Sequence, residues 1–139
     1  MAKKRQKSKL VKLMNSDEIT SYETTVEDCQ FWFKVLNEEV FNGSLLPLDE
    51  IDIRWRRGCH AYYACILDDT NGTIVSKLCM NKRYKTMQFF VEVLAHELIH
   101  HHQAIYNEPV RHGPSFLAWR DKFNKKGINL SRVYVEDEA

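Results

Sequence analysis

The sequence predicts a single α+β domain in which a small antiparallel sheet packs against a first helix and against a central helix. Segments with the two-residue repeat of a half-buried strand lie between segments with the repeat of a helix. The length of 139 residues suits one domain of ordinary size. With 44% hydrophobic and 28% charged residues, the composition is globular and excludes a disordered or fibrous chain.

A first helix is predicted over residues 25–41. Thr24 or Thr25 can accept the N-cap hydrogen bond, and Asn42-Gly43 ends the helix because both residues tolerate a left-handed backbone. The apolar residues of this helix recur at helical spacing and form the predicted core stripe: Phe31, Val35, Leu36, Val40 and Phe41.

Three strands are predicted after this helix. The first is an alternation of apolar and charged residues over 51–56, with Trp55 on the apolar face. The second and third cover residues 61–67 and 73–81, and Asn71-Gly72 supplies the turn between them. Because the connections are short, the three strands are expected to form an antiparallel meander.

Two more helices are predicted. Residues 86–106 are apolar nearly all round, which is typical of a central, buried helix, and Pro109 follows its end. Pro114 can open the next helix at its first turn, Gly127 caps that helix, and a short strand is predicted over 131–135. The predicted inner face of the last helix holds Phe116, Leu117, Trp119 and Phe123.

The central helix contains the sequence His96-Glu97-Leu98-Ile99-His100. Histidines at positions i and i+4 project from one face of a helix, so both can bind one metal ion. Glu97 is rotated by about 100° from His96, which places its carboxylate beside the metal, where it can take a proton from water. Zn²⁺ suits this pattern because it binds neutral imidazole, lowers the pKa of water and polarises a carbonyl group. Two hydrogen-bonded core histidines are the alternative interpretation.

A catalytic zinc ion needs a third protein ligand when one position is left for water. His112 is the preferred candidate, since Pro109 lets the chain leave the helix and Gly113 permits close backbone approach. The two histidines that follow His100 point to other faces of the helix, so solvent-exposed or supporting roles are expected for them. The rivals that stay open are His101, His102 and Glu108.

The net charge of +1 conceals a basic N-terminus. Residues 1–12 hold six cations and no acid, which leaves 14 cations against 19 acids, a net charge of −5, for residues 13–139. Residues 1–15 are therefore interpreted as a basic flexible arm, and residues 16–139 as the folded domain. Such an arm is typical of nucleic-acid binding, and a solvated tail is the alternative. The cations are Lys3, Lys4, Arg5, Lys7, Lys9 and Lys12.

An intracellular location is expected, in the cytoplasm or, in a eukaryote, in the nucleus. No apolar run approaches the roughly 20 residues that span a membrane, and no apolar signal segment follows the basic N-terminus. A monomer without a membrane partner is expected. The cysteines are then expected to be reduced and mostly buried: Cys29, Cys59, Cys65 and Cys79.

Four segments of the chain carry a family resemblance: residues 41–45, 53–55, 90–100 and 112–116. In that order they resemble the end of the first helix, the first strand, the zinc helix and the third-ligand signature of the SprT-like (Spartan) zinc metalloprotease family. The resemblance covers about residues 25–125. It implies a zincin-like domain in which Glu97 is the general base or acid and the Zn²⁺ ligands are His96, His100 and His112.

The resemblance implies a zinc-dependent metalloendopeptidase, and the better-known members of the family cleave proteins attached to DNA. Relatives often carry a further zinc ribbon or partner-binding segments; none is expected here, so the basic arm is the expected DNA contact. The alternatives are a zinc protease that cuts one dedicated partner without DNA and a non-catalytic, zinc-stabilised binding module. The oxyanion donor stays open among Tyr62, Tyr63, Tyr106 and Tyr134.

Overall fold

The computed structural model describes residues 21–55, 58–68, 70 and 72–130. Helices and strands in these ranges form an α+β architecture, which confirms the predicted fold class. The expected basic arm and the predicted strand over 131–135 lie outside the described residues. In chain order the elements are β1 (Tyr22–Glu23), α1 (Val26–Glu39), β2 (Glu50–Arg54), β3 (Ala61–Asp68), β4 (Thr73–Asn81), β5 (Arg83–Tyr84), α2 (Met87–Ile105) and α3 (Pro114–Lys125).

β4 is the central strand of a three-stranded sheet with the order β2-β4-β3. β3 runs antiparallel to β4, but β2 runs parallel to it, so the predicted antiparallel meander is wrong. The reason lies in β4, where Leu78, Cys79 and Met80 are consecutive and all buried, so both faces of the strand are covered. A strand covered on both faces is most stable in the centre of a sheet, and β2 pairs with its second edge.

A second, two-stranded ladder pairs β1 antiparallel with β5 and places Tyr22 opposite Tyr84. The sequence does not predict this ladder because strands of two residues are too short to show a period. Both tyrosine rings pack on Phe90, with ring centroids 4.6 Å and 5.7 Å away. The ladder therefore anchors the beginning of α2.

α1 begins where it is predicted, and its N-cap Thr25 accepts a 3.0 Å hydrogen bond from the backbone N–H of Asp28. Its core face differs in part from the predicted stripe. Trp32 and Leu36 are buried, whereas Phe31 is 50% exposed. Neighbouring residues are rotated by about 100° on a helix, so the core-facing stripe takes Trp32 and excludes Phe31.

α2 is the central helix of the domain, as predicted. Its N-cap Thr86 accepts a 3.0 Å hydrogen bond from the backbone N–H of Phe89. Every residue from Phe90 to His101 is buried, and the helix contacts β3, α1 and α3. The histidine-glutamate motif therefore lies in the middle of the domain, where neighbouring elements restrict its side chains.

Besides Phe31, two apolar residues predicted to face the core are exposed. Trp55 lies one residue beyond the end of β2 and is 66% exposed, and Leu117 is exposed on α3. Phe116 and Phe123 fill the inner face of α3 as predicted. Gly127 has a φ angle of 94°, the left-handed conformation that glycine supplies at a helix end.

None of the four cysteines, all of which lie in the described residues, forms a disulfide. Cys29 and Cys79 are buried, Cys59 is half-buried and Cys65 is exposed, so the expected burial holds for two of the four. No helix in the described part of the chain has the length and apolar character needed to cross a membrane.

Candidate metal centre

Three histidine side chains converge between α2 and the loop that follows it. His96 and His100 lie one turn apart on α2, and His112 lies just before α3. One ring nitrogen of each histidine lies within 4.8 Å of the other two. The Nε2 atom of His112 is 3.2 Å from Nε2 of His96 and 3.3 Å from Nε2 of His100. The structure thus brings together the two helical histidines and the preferred third candidate.

Local backbone features return the chain to α2 so that His112 reaches the cluster. Asn107 has a φ angle of 60°, a left-handed conformation that reverses the chain after the helix. The backbone N–H of Glu108 donates a 2.7 Å hydrogen bond to the carbonyl oxygen of Gln103. Pro114 then opens α3, where its missing N–H and fixed φ angle suit the first turn.

The three imidazole rings are arranged symmetrically, with centroids 5.0 Å apart in all three pairs. Phe116 packs against all of them, with centroid distances of 4.9 Å, 5.3 Å and 4.8 Å to His96, His100 and His112. Three convergent imidazole nitrogens form the donor set that catalytic metal sites use when one position stays open for water. The residues present therefore fit a metal ion that prefers nitrogen ligands.

Burial keeps the two helical histidines of the cluster in the neutral state that binds metal. It lowers the pKa of His96 to about 2, and the neighbouring His100 and His112 lower this pKa further. Burial also lowers the pKa of His100, although a hydrogen bond with Gln103 opposes the shift. Both helical histidines are therefore neutral at neutral pH.

We expect the metal-free protein to lose stability in mild acid. An unfolded histidine takes up a proton near pH 6.5, whereas His96 in the folded protein has a pKa of about 2. Between these values the unfolded state binds more protons, so the free energy of unfolding decreases as the pH falls below about 6.5. Thermal unfolding of the metal-free protein at about pH 7.5 and pH 5.5 measures the loss. His96→Gln should show a smaller loss, and an equal loss in both proteins would contradict this origin.

Glu97 is 3% exposed and lines the same cleft as the three histidines. A carboxylate in the wall of a cleft can accept and release a proton during a reaction there. The cleft has a volume of about 300 Å³. Its other lining residues are Cys59, Ala61, Tyr62, Tyr63, Val110 and Arg111.

The rival third ligands do not belong to the cluster that the described residues form. His101 is buried and its two ring nitrogens lie 2.7 Å from the Leu46 carbonyl oxygen and 2.8 Å from the Tyr63 hydroxyl. A solvent-exposed role for His101 is therefore wrong, because these two partners hold it in the core. His102 packs against an aromatic ring of α3 at a centroid distance of 4.8 Å. Glu108 is likewise absent from this cluster.

The cleft narrows the choice of oxyanion donor. Tyr62 and Tyr63 line it, and the Tyr63 hydroxyl is the group that contacts His101. The exposed Tyr106 donates a 2.9 Å hydrogen bond to a loop carbonyl oxygen instead, and Tyr134 lies outside the described residues. The Leu46 carbonyl oxygen only accepts, so His101 donates through Nε2 and accepts the Tyr63 hydroxyl proton at Nδ1. Of the three candidates within the described residues, Tyr62 is therefore the one that the cleft favours.

Sequence reasoning missed one polar residue that contacts the cluster. Gln103 lies three residues after His100 and is fully buried, with its side chain against the His100 ring. The available signal was an uncharged polar residue at position i+3 from a candidate ligand, within an otherwise apolar helix. Phe116 was predicted as a core residue, but its contact with all three histidine rings was not.

The fold and the site define an α+β domain with a cluster of three histidines that can hold a metal ion. The SprT-like family model matches residues 29–136, and the chain belongs to this family. The match confirms the resemblance carried by the motifs and extends from α1 through α3. Proteins of this family are in general zinc metalloprotease-like. No curated protein matches the chain.

Proposed function

We propose that this chain is a zinc-dependent metalloendopeptidase with a zincin-like fold. The observation that carries the proposal is the convergence of three histidine nitrogens within 4.8 Å, in a cleft that a buried glutamate also lines. His96, His100 and His112 would hold Zn²⁺, and Glu97 would act first as general base and then as general acid. Membership of the SprT-like family supports the same assignment.

Proton transfer is the step that the protein's own side chains would perform. Zn²⁺, when bound, supplies Lewis-acid chemistry that polarises a carbonyl group and lowers the pKa of water. The Glu97 carboxylate takes a proton from the water molecule that attacks the carbonyl carbon of the peptide. It then gives this proton to the nitrogen of the leaving amine as the C–N bond breaks. The burial of Glu97 supports this role because it limits exchange of the proton with bulk water.

The edge of β3 offers a binding place for an extended substrate. Among the described strands, β3 pairs only with β4, so one of its two edges remains for another strand. Ala61, Tyr62 and Tyr63 of β3 line the cleft together with the histidines. A peptide that adds to this edge through backbone hydrogen bonds would run past the metal centre. Unfolded or extended protein segments are therefore the proposed substrates.

We propose DNA-bound or DNA-crosslinked proteins as the substrate class, on the basis of the six cations in residues 1–12. The test incubates the zinc-loaded protein with a DNA-binding protein, with and without single-stranded DNA. Cleavage that requires DNA supports this proposal. Cleavage that is independent of DNA supports a protease for one dedicated partner, and zinc binding without any cleavage supports a non-catalytic binding module.

The proposal includes an intracellular location, a monomeric state and no membrane partner. Four cysteines that form no disulfide are in keeping with a reducing compartment, because disulfides form mainly in oxidising ones. A monomer is sufficient for the proposed chemistry, since one chain supplies all three histidines and the glutamate.

Deletion of residues 1–12 is expected to weaken DNA binding and flatten its salt dependence. The remaining residues carry a net charge of −5, so phosphate should repel them. If all six cations engage, the slope of log affinity against log salt approaches about −4 on single strands and about −5 on duplex DNA. Titration of both proteins against labelled single-stranded DNA at two salt concentrations measures the change.

Zinc content and cleavage of a small unfolded peptide provide the control for this deletion. Both should stay unchanged, because the proposed ligands and Glu97 lie in the folded domain. Equal DNA affinity and equal salt slope in the two proteins would remove residues 1–12 from the mechanism.

A further inference from the structure

One buried side-chain amide joins the histidine cluster to the loop that carries its third member. Gln103 lies on α2 and is fully buried. Its Oε1 atom is 2.9 Å from Nδ1 of His100 and accepts a 3.3 Å hydrogen bond from the backbone N–H of Arg111. Its Nε2 atom donates to the Arg111 carbonyl oxygen at 2.9 Å and to the Ser115 hydroxyl at 2.8 Å. All the hydrogen-bonding positions of the amide are therefore used.

The backbone of Arg111 determines which way this amide points. A backbone N–H only donates and a backbone carbonyl only accepts, so Oε1 must face the N–H and Nε2 must face the carbonyl. The same orientation places Oε1 against His100. Because an amide oxygen only accepts, Nδ1 of His100 carries the proton, and its Nε2 keeps the lone pair that faces His112.

We propose that Gln103 is a positioning residue of the metal centre, which fixes the tautomer of His100 and holds the loop of His112. This inference rests on the proposed function. Metal-binding histidines usually donate their second N–H to an outer partner, which orients the ring. Here one side chain supports two ligands, because Arg111 directly precedes His112 and both its backbone groups bind the amide.

Asn37 provides a matched comparison elsewhere in the fold. Its side-chain amide also holds a loop, since Nδ2 donates to the Leu45 carbonyl oxygen at 3.3 Å and Oδ1 accepts from the Leu45 N–H at 3.0 Å. These bonds involve no histidine. Replacing Asn37 therefore removes an amide that holds a loop without changing a partner of the metal cluster.

The test compares the zinc affinity of the wild-type chain, Gln103→Met and Asn37→Leu by competition with a chromogenic chelator. Methionine keeps the approximate volume of glutamine and removes all of its hydrogen bonds. We expect Gln103→Met to bind zinc about 10- to 100-fold more weakly and to change the visible absorption spectrum of the Co²⁺-loaded protein. Asn37→Leu should keep the wild-type zinc affinity and Co²⁺ spectrum, even if its melting temperature falls as much as that of Gln103→Met.

A conservative variant separates the two parts of the proposal. Gln103→Glu keeps an acceptor for His100 but loses the donors to Arg111 and Ser115, so it should recover part of the lost affinity. No recovery, or equal zinc affinity in Gln103→Met and Asn37→Leu, would overturn the positioning role while the proposed function stands. A wild-type chain that binds no zinc would overturn the proposed function, and this inference with it.

Discussion

Replacing Glu97 with glutamine is expected to abolish peptide hydrolysis while the protein keeps its zinc. Glutamine has nearly the size of glutamate, so the fold and the histidine cluster should persist, but its amide cannot take a proton from water. General acid–base catalysis contributes about 10²- to 10⁴-fold to enzymatic rates, and we expect kcat to fall by such a factor. Mass spectrometry of an unfolded protein substrate, with metal analysis of the same sample, measures both quantities.

Glu92 provides the matched control for this variant. It is also fully buried on α2, one turn before His96, but it is not among the residues that line the cleft. Glu92→Gln should therefore keep the cleavage rate of the folded protein within a few-fold of the wild-type rate. A normal rate in Glu97→Gln would contradict the proposed proton transfer, and loss of zinc in that variant would make Glu97 a residue of metal binding.

Replacing His112 with alanine is expected to remove most of the bound zinc. Only two histidine nitrogens would then remain, fewer than the three protein ligands that catalytic zinc sites use. The zinc content after gel filtration should fall from about one ion per chain to well below one. The loss of affinity should exceed the roughly 10- to 100-fold that removal of an outer partner costs.

The neighbouring histidines of α2 provide the controls for His112. His102→Ala should keep about one zinc ion per chain, because His102 lies outside the cluster. His101→Ala should also keep zinc, but its melting temperature should fall, since the Tyr63 hydroxyl and the Leu46 carbonyl lose their partner. Full zinc retention by His112→Ala would exclude His112 as the third ligand.

The helices and the three main strands could be predicted to within about two residues because local chemistry determines them. Thr25 and Thr86 cap α1 and α2, and the strand predicted over 73–81 has the observed bounds of β4. The order of the strands could not be predicted. The central position belongs to the strand whose two faces are both covered by other parts of the domain, and only the folded structure shows which strand that is. The buried run from Leu78 to Met80 makes β4 that strand and lets β2 pair with it in parallel.

The candidate site also combines residues that the local sequence predicts with residues that only the folded structure brings together. His96 and His100 form a predictable pair because the helical repeat alone places them on one face. Pro109 and Gly113 made His112 the preferred third candidate and the family signature supported it, but only the folded loop determines whether His112 returns to α2. Gln103 could not be assigned, because its partners include both backbone groups of Arg111, which approach it only in the folded structure.

Restoring zinc to the metal-free protein tests most directly whether this chain hydrolyses peptide bonds with a histidine-bound zinc ion. An unfolded protein and a DNA-bound protein are incubated in ¹⁸O-labelled water with the metal-free and the zinc-restored chain, and the products are analysed by mass spectrometry. Fragments are predicted only after about one zinc ion per chain is restored, with ¹⁸O in each newly formed C-terminal carboxylate. A chain that binds this zinc and yields no fragments from either substrate would contradict the proposed peptidase function.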